Sequence, residues 1–299
     1  GPSAVRYGFN VSGTGDINGD GYADLFVSDT AAFFARGQGY FYLSDAASHP
    51  LSIFPTLPSQ TITGSQIAME FGRATPTGDF DGDGFADLMV SGAEYASGAG
   101  QLWLFRGGGS GKVLEESTSG PNQPGALFGH NLGGAGDVNG DGYSDLFATA
   151  LRYDNGETNE GGIFVYHGGP TTTAVQPVLP GRTASLAGTS ASRFAQSIAV
   201  NGDIDGDGFS DLLVGAPDTD TGAGVDAGRI AVYRGTKDGL ESLAHSLDGS
   251  VAGAELGASV AWAGDVNNDG FTDVIAGAPS FGSGPQVLAG RAELYLGNA

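Results

Sequence analysis

The chain has no cysteine. Disulfides, thiolate zinc sites and cysteine nucleophiles are therefore excluded, although the compartment stays open, because a secreted protein can be braced by metal instead. Positive charge is also scarce: 12 lysines and arginines stand against 34 aspartates and glutamates, a formal charge of −22. A surface this acidic repels nucleic acid and anionic lipid and favours cations or basic partners. No run of 18 apolar residues exists and no signal peptide is visible at the start, so direct membrane insertion is not expected. The opening Gly1-Pro2 reads as a processing scar, which would place the natural start further upstream. The four histidines, His49, His130, His167 and His245, include no pair at zinc-motif spacing and read as surface or packing residues. No Gly-x-Ser-x-Gly elbow, P-loop or dinucleotide fingerprint appears in a credible strand-to-helix setting. Catalysis therefore has no visible home.

What the chain does have is glycine, 54 residues in 299, with 40% hydrophobic content and only 15% charged residues. That balance suits a turn-rich β protein with a real core and argues against intrinsic disorder. Length alone permits two average domains or one large all-β domain. Repetition decides between them. DINGDGYAD at 16 to 24 returns as DFDGDGFAD at 79, DVNGDGYSD at 137, DIDGDGFSD at 203 and DVNNDGFTD at 265, with starts 63, 58, 66 and 62 residues apart. Seventeen of the 34 acidic residues lie in these five nonapeptides, so half the acidity is local.

Each nonapeptide belongs to a longer unit. Upstream stands an aromatic or leucine with a small residue: Phe71-Gly72, Phe128-Gly129, Phe194-Ala195, Leu256-Gly257 and, more loosely, Tyr7-Gly8. A strand of small residues follows, then the acidic loop, then a short apolar run such as DLMVSGA or DLLVGAP. After a variable loop comes a third strand ending near glycine, such as QLWLFRG or RIAVYRG. A more variable fourth strand is expected within 51 to 63, 112 to 118, 175 to 187 and 240 to 248. Nothing has helical period.

Four antiparallel strands repeated radially predict an all-β fold, a β-propeller of five blades. A linear β-solenoid is disfavoured, because its coils are usually much shorter than about 60 residues. The expected organisation is a single domain, 1–299, with repeats at about 1–63, 64–124, 125–188, 189–250 and 251–299. The last repeat stops just after its third strand. Either a five-bladed ring with a three-stranded final blade or a piece of a larger ring fits that ending.

The Phe-Gly pairs, the Asp-x-Asp/Asn-x-Asp-Gly-x-x-Asp loops, and Gly215-Ala216-Pro217 and Gly277-Ala278-Pro279 resemble the FG-GAP repeats of integrin α-subunit propellers and their bacterial relatives. The resemblance covers essentially the whole chain. It departs where Ser28-Asp29-Thr30, Ser91-Gly92-Ala93 and Thr149-Ala150-Leu151 replace Gly-Ala-Pro. The family commonly closes with seven blades, against five counted here.

Carboxylates packed within about 4 to 6 Å of one another repel and raise each other's pKa unless a cation sits among them. Calcium suits the loops, since it takes about 6 to 8 hard oxygen ligands in an adaptable shell. Positions 1, 3 and 5 offer side-chain oxygens: Asp16, Asn18 and Asp20; Asp79, Asp81 and Asp83; Asp137, Asn139 and Asp141; Asp203, Asp205 and Asp207; Asp265, Asn267 and Asp269. Position 7 offers a backbone carbonyl, from Tyr22, Phe85, Tyr143, Phe209 and Phe271, whose rings read as packing residues. Position 9 completes the set with Asp24, Asp87, Asp145, Asp211 and Asp273. An EF-hand is excluded, because position 12 is Val27, Val90, Ala148, Val214 and Ala276 in place of glutamate and strands flank the loops. A plain turn accounts for the Asn-Gly and Asp-Gly pairs but not for an acid at position 9 in every copy. Five calcium ions are expected, bringing the formal charge from −22 to −12. Loops two and four, with four carboxylates each, are expected to bind most tightly.

The loops between second and third strands carry Phe33, Phe34, Tyr95, Arg152, Tyr153 and Phe281. Aromatics and arginine are enriched at interface hot spots, so these residues read either as a partner surface or as rings folded back over the blades. By resemblance, integrin propellers use this face for ligand recognition and subunit contact. The function expected is a secreted or cell-surface, calcium-binding adhesion or recognition module for a protein or glycan ligand, without catalysis. Two alternatives remain open: a non-catalytic propeller domain of a larger secreted enzyme, and a lectin-like sugar-binding propeller.

Overall fold

The computed structural model of the chain describes residues 6–31, 36–44, 57–64, 71–109, 114–156, 158–170, 179–180, 192–241, 243–282 and 289–297. They form five antiparallel sheets, each strand paired with its neighbour in sequence. The first holds β1 (Tyr7–Gly15), β2 (Asp24–Asp29), β3 (Gln38–Tyr42) and β4 (Gln60–Thr63). The second holds β5 (Arg73–Gly78), β6 (Asp87–Gly92), β7 (Gln101–Arg106) and β8 (Leu114–Ser119). The third holds β9 (Phe128–Gly136), β10 (Asp145–Ala150), β11 (Gly162–Tyr166) and β12 (Leu179–Pro180). The fourth holds β13 (Ser197–Gly202), β14 (Asp211–Ala216), β15 (Arg229–Tyr233) and β16 (His245–Asp248). The fifth has three strands among the described residues, β17 (Ser259–Gly264), β18 (Asp273–Ala278) and β19 (Arg291–Tyr295). Five such sheets are what a propeller built of these repeats requires. The one helical turn among the described residues, Tyr95–Gly98, holds Ala96 and Ser97 at positive φ and is no regular helix.

Two compact units emerge from the contacts: Gly1–Gly134 with Tyr143–Ala148 and Tyr166–Gln176, and Ala135–Gly142 with Thr149–Val165 and Pro177–Ala299. The first two sheets lie in the first unit and the last two in the second, while the strands of the third divide between them.

Burial explains why the second strands read as unbroken apolar runs. Every residue of β6, β10 and β14 is buried, as expected of strands covered on both faces. In the first unit Phe26, Phe41 and Ile17 of the first repeat pack with Phe71, Leu88, Val90, Trp103 and Phe105 of the second. Phe41 meets Phe105 edge to face at 5.7 Å, and Phe71 meets Trp103 at 5.1 Å. In the second unit Leu213, Ile230 and Val232 pack with Leu256, Val274 and Ala276.

The Phe-Gly signature has a backbone reason. The carbonyl of the aromatic or leucine seats against a glycine that opens the third strand of the preceding repeat: Phe71 on Gly37, Phe128 on Gly100, Phe194 on Gly161 and Leu256 on Gly228. A side chain at those glycines would strike the carbonyl, and each glycine has positive φ. The same device recurs four times, so the sheet-to-sheet distance is set by backbone contact.

Gly100→Ala should therefore cost about 3 kcal/mol, combining positive φ with overpacking against Phe128. Gly125→Ala, at the same φ of +81 but facing open space, should cost about 1 kcal/mol. Urea unfolding of the two variants checks the difference; equal losses would show that the carbonyl seat contributes nothing.

Candidate metal centres

Each acidic loop begins where a glycine at positive φ ends the first strand: Gly15, Gly78, Gly136 and Gly264, with Asn201-Gly202 in the fourth repeat. In the first, second, fourth and fifth sheets the ladder slips there, a bulge that turns the chain out of the sheet. The aspartate at position 1 then caps the turn. Asp16 accepts the N–H groups of Gly19 (2.7 Å) and Asp20 (3.0 Å) on Oδ1 and of Gly21 (2.7 Å) on Oδ2. Asp79 and Asp203 repeat all three bonds, and Asp137 and Asp265 accept from positions 5 and 6. The glycine at position 6 sits at φ +91 in four loops and +96 in the fifth, where a side chain would be strained.

Position 9 is the first residue of the second strand, and all five aspartates there are buried, four of them with 0% exposure. Four of the five tie two distant segments together. Oδ2 of Asp87 accepts the N–H of Phe80 at position 2 (2.9 Å), and Oδ1 accepts the N–H of Gly107 beyond the third strand (2.9 Å). Asp24, Asp211 and Asp273 make the same two bonds, to Ile17 and Ser44, Ile204 and Gly235, and Val266 and Gly297. Asp145 accepts from Gly168. The fold thus needs an acid at position 9 for its own sake, a role that spacing alone does not reveal. Burial raises the Asp87 carboxyl to about 7 and the Asp211 carboxyl to about 6; the amide bonds oppose the rise and the neighbouring carboxylates add to it. Asp24 and Asp83 are raised by the same cause.

Position 3 completes the cage. In loop two, carboxylate oxygens of Asp79, Asp81 and Asp87 lie within 4.8 Å of one another, and Asp203, Asp205 and Asp211 do so in loop four. In the other loops position 3 is an amide, Asn18, Asn139 or Asn267, which donates to the position-5 carboxylate at 2.8 to 3.2 Å. The donor set is all hard oxygen, with no histidine or sulfur ligand among the loop residues, and it fits a hard divalent cation better than a transition metal.

Sequence reasoning missed two residues at these cages. Arg106 donates from Nη1 to Asp81 Oδ2, and Arg234 to Asp205 Oδ2, both at 3.0 Å. The available signal was an arginine before the third-strand glycine in only the two repeats that carry aspartate at position 3. The position-7 rings, expected to pack, cover the preceding loop. Phe85, Tyr143 and Phe209 fill the space where Gly19, Gly82 and Gly140 would carry a side chain, and Phe271 lies 3.7 Å from that point at Gly206. Backbone bonds join the same loops: Ala86 donates to the Asp16 carbonyl (3.0 Å), Ser210 to Asp137 (3.1 Å) and Thr272 to Asp203 (3.3 Å).

Of the residues expected at a partner surface, Phe33 and Phe34 lie outside the described residues. Tyr95 rests edge-on against Trp103, Tyr153 against Phe164, and Phe281 beneath the Arg291 guanidinium at 4.9 Å. Arg152 is exposed. Among the described residues no helix is long and apolar enough to cross a membrane.

Comparison with known families finds FG-GAP repeats in these segments. An FG-GAP-like repeat is recognised at residues 79–148, and FG-GAP repeats at 194–233 and 256–294. Individual relatives are integrin alpha subunits. The chain is 27% identical to integrin alpha-V of Gallus gallus over 96% of its length and 29% of that protein. It is 33% identical to integrin alpha-PS5 of Drosophila melanogaster and 36% identical to integrin alpha-IIb of Homo sapiens, over 52% and 49% of this chain and 16% and 15% of theirs. The chain therefore spans less than a third of the length of these relatives.

The raised carboxyls set a pH dependence for the protein held in chelator. A group with a folded pKa above its unfolded value of 3.8 stabilises below that value and loses its contribution as pH rises through the folded pKa. Asp87 and Asp211 should thus make the ion-free protein less stable between about pH 4 and 7. Carboxyl carbon-13 titration in chelator should show midpoints near 7 for Asp87 and 6 for Asp211. Midpoints near 4 would remove the effect.

Proposed function

We propose that the chain is a calcium-binding, non-catalytic adhesion or recognition module that works outside the cell and takes a protein ligand. The observation that carries the reading is the convergence of carboxylate oxygens at positions 1, 3 and 9 in loops two and four, whose spelling recurs with asparagine at position 3 in the other three. Similarity to integrin alpha subunits supports adhesion or ligand binding, and the paucity of basic residues agrees with a cation as the loops' natural company. In each of the five cages, side chains at positions 1, 3, 5 and 9 and the carbonyl at position 7 would hold one ion. The coordinated carboxylates would then be held ionised and unavailable for acid or base chemistry. The ligand surface is assigned to the loops between second and third strands, with exposed Arg152 as a charged member.

Isothermal titration of chelator-stripped protein should register five calcium ions, with much weaker magnesium binding. Because the ion binds the folded loops and hardly the unfolded chain, calcium at a hundred times Kd should add about 2.7 kcal/mol per site and raise Tm accordingly. Absence of both heat and Tm shift would defeat the reading.

A further inference from the structure

Loops two and four carry an aspartate at position 3 where the others carry asparagine, and the backbone treats the two alike. Oδ1 accepts the position-5 N–H at 3.1 Å in Asn18 and Asn139, at 3.2 Å in Asp81 and at 3.3 Å in Asp205. The difference lies in the other atom. An asparagine Nδ2 donates to the position-5 carboxylate, whereas an aspartate Oδ2 at that place can only repel it. An arginine answers in both cases, from the residue before the glycine whose N–H binds the position-9 aspartate. Leu43, His167 and Leu296 hold the corresponding place in the asparagine repeats. The two ion pairs lie in different units and agree at 3.0 Å; at the first, Arg106 and Asp81 keep only 13% and 11% of their side-chain exposure. Arg234 also grips Glu241 at 2.9 Å and is more open.

We propose that Arg106 and Arg234 are charge-matching residues, each set against the additional carboxylate so that loops two and four come closer to the net charge of −3 carried by the three asparagine cages, Arg106 more fully than Arg234, which Glu241 shares. The inference rests on the calcium reading above and replaces the expectation that loops two and four bind most tightly. It makes the arginines positioning residues: they touch the cage, not the ion, and they set affinity through charge.

The test follows calcium through the Gly84 amide resonance, which reports loop two alone, in wild type, R106Q, D81N, R106K and R106Q/D81N. R106Q, with a net charge of −4, should tighten loop two by about three- to tenfold, and D81N, at −2, should loosen it by a similar factor. The double variant, which rebuilds the asparagine cage, and R106K, which keeps the charge, should stay within about twofold of wild type. If wild type binds calcium and R106Q leaves loop two unchanged or weaker, charge matching is overturned while the calcium reading stands. A wild type that binds no calcium overturns that reading instead. Melting in chelator then decides the matching itself: R106Q should melt below R106Q/D81N, and the reverse order rejects the idea.

Discussion

Five buried carboxylates, one at the start of each second strand, each accept a backbone N–H from just beyond the third strand of their own sheet. In four of them each oxygen accepts a backbone N–H, one from the loop and one from beyond the third strand. No other side chain of this size offers two acceptors at that separation; an amide would turn a donor toward one of the two N–H groups. Burial without those bonds would be costly, and with them the carboxylate becomes the joint about which the loop is built. Position 1, the bulge and the cage all take their places from it.

Around that joint the repeat solves a packing problem with very little side chain. Sheets approach through glycine and carbonyl at the Phe-Gly seats, and the large rings fill the space beside them. Close approach also crowds the acidic loops. The structure answers the crowding first with backbone N–H groups, then with asparagine at position 3 or an arginine paired to the aspartate there, and the remaining oxygens point to a divalent ion. Fold and proposed function therefore rest on the same few residues.

Much of this was legible in the chain. The acidic loops, the second strands and the third strands follow from period and spacing, because each is short, regular and repeated. The fourth strands were legible only as windows: 175 to 187 contains the two residues of β12, and 240 to 248 contains β16. Their sequences vary because an outer strand has one neighbour to satisfy. The double duty of position 9 stayed hidden because its partners, such as Ser44 and Gly107, lie about twenty residues further on. Arg106 was hidden for the same reason, 25 residues from Asp81. The rings of Tyr95 and Tyr153 were ambiguous by nature, since a loop aromatic can face solvent or its own sheet, and only the neighbouring Trp103 and Phe164 settle it.

Four of the seventh-position rings, those of Phe85, Tyr143, Phe209 and Phe271, lean on the loop before them. That gives the repeats a grain, like overlapping roof tiles. Any blade that brings an aromatic at position 7 and a glycine at position 4 can sit between two others, so the first four are interchangeable in this respect. The fifth carries Asn268 at position 4, itself at φ +59. A ring in the pose of Phe85 or Tyr143 would meet the Asn268 side chain where those loops keep a glycine.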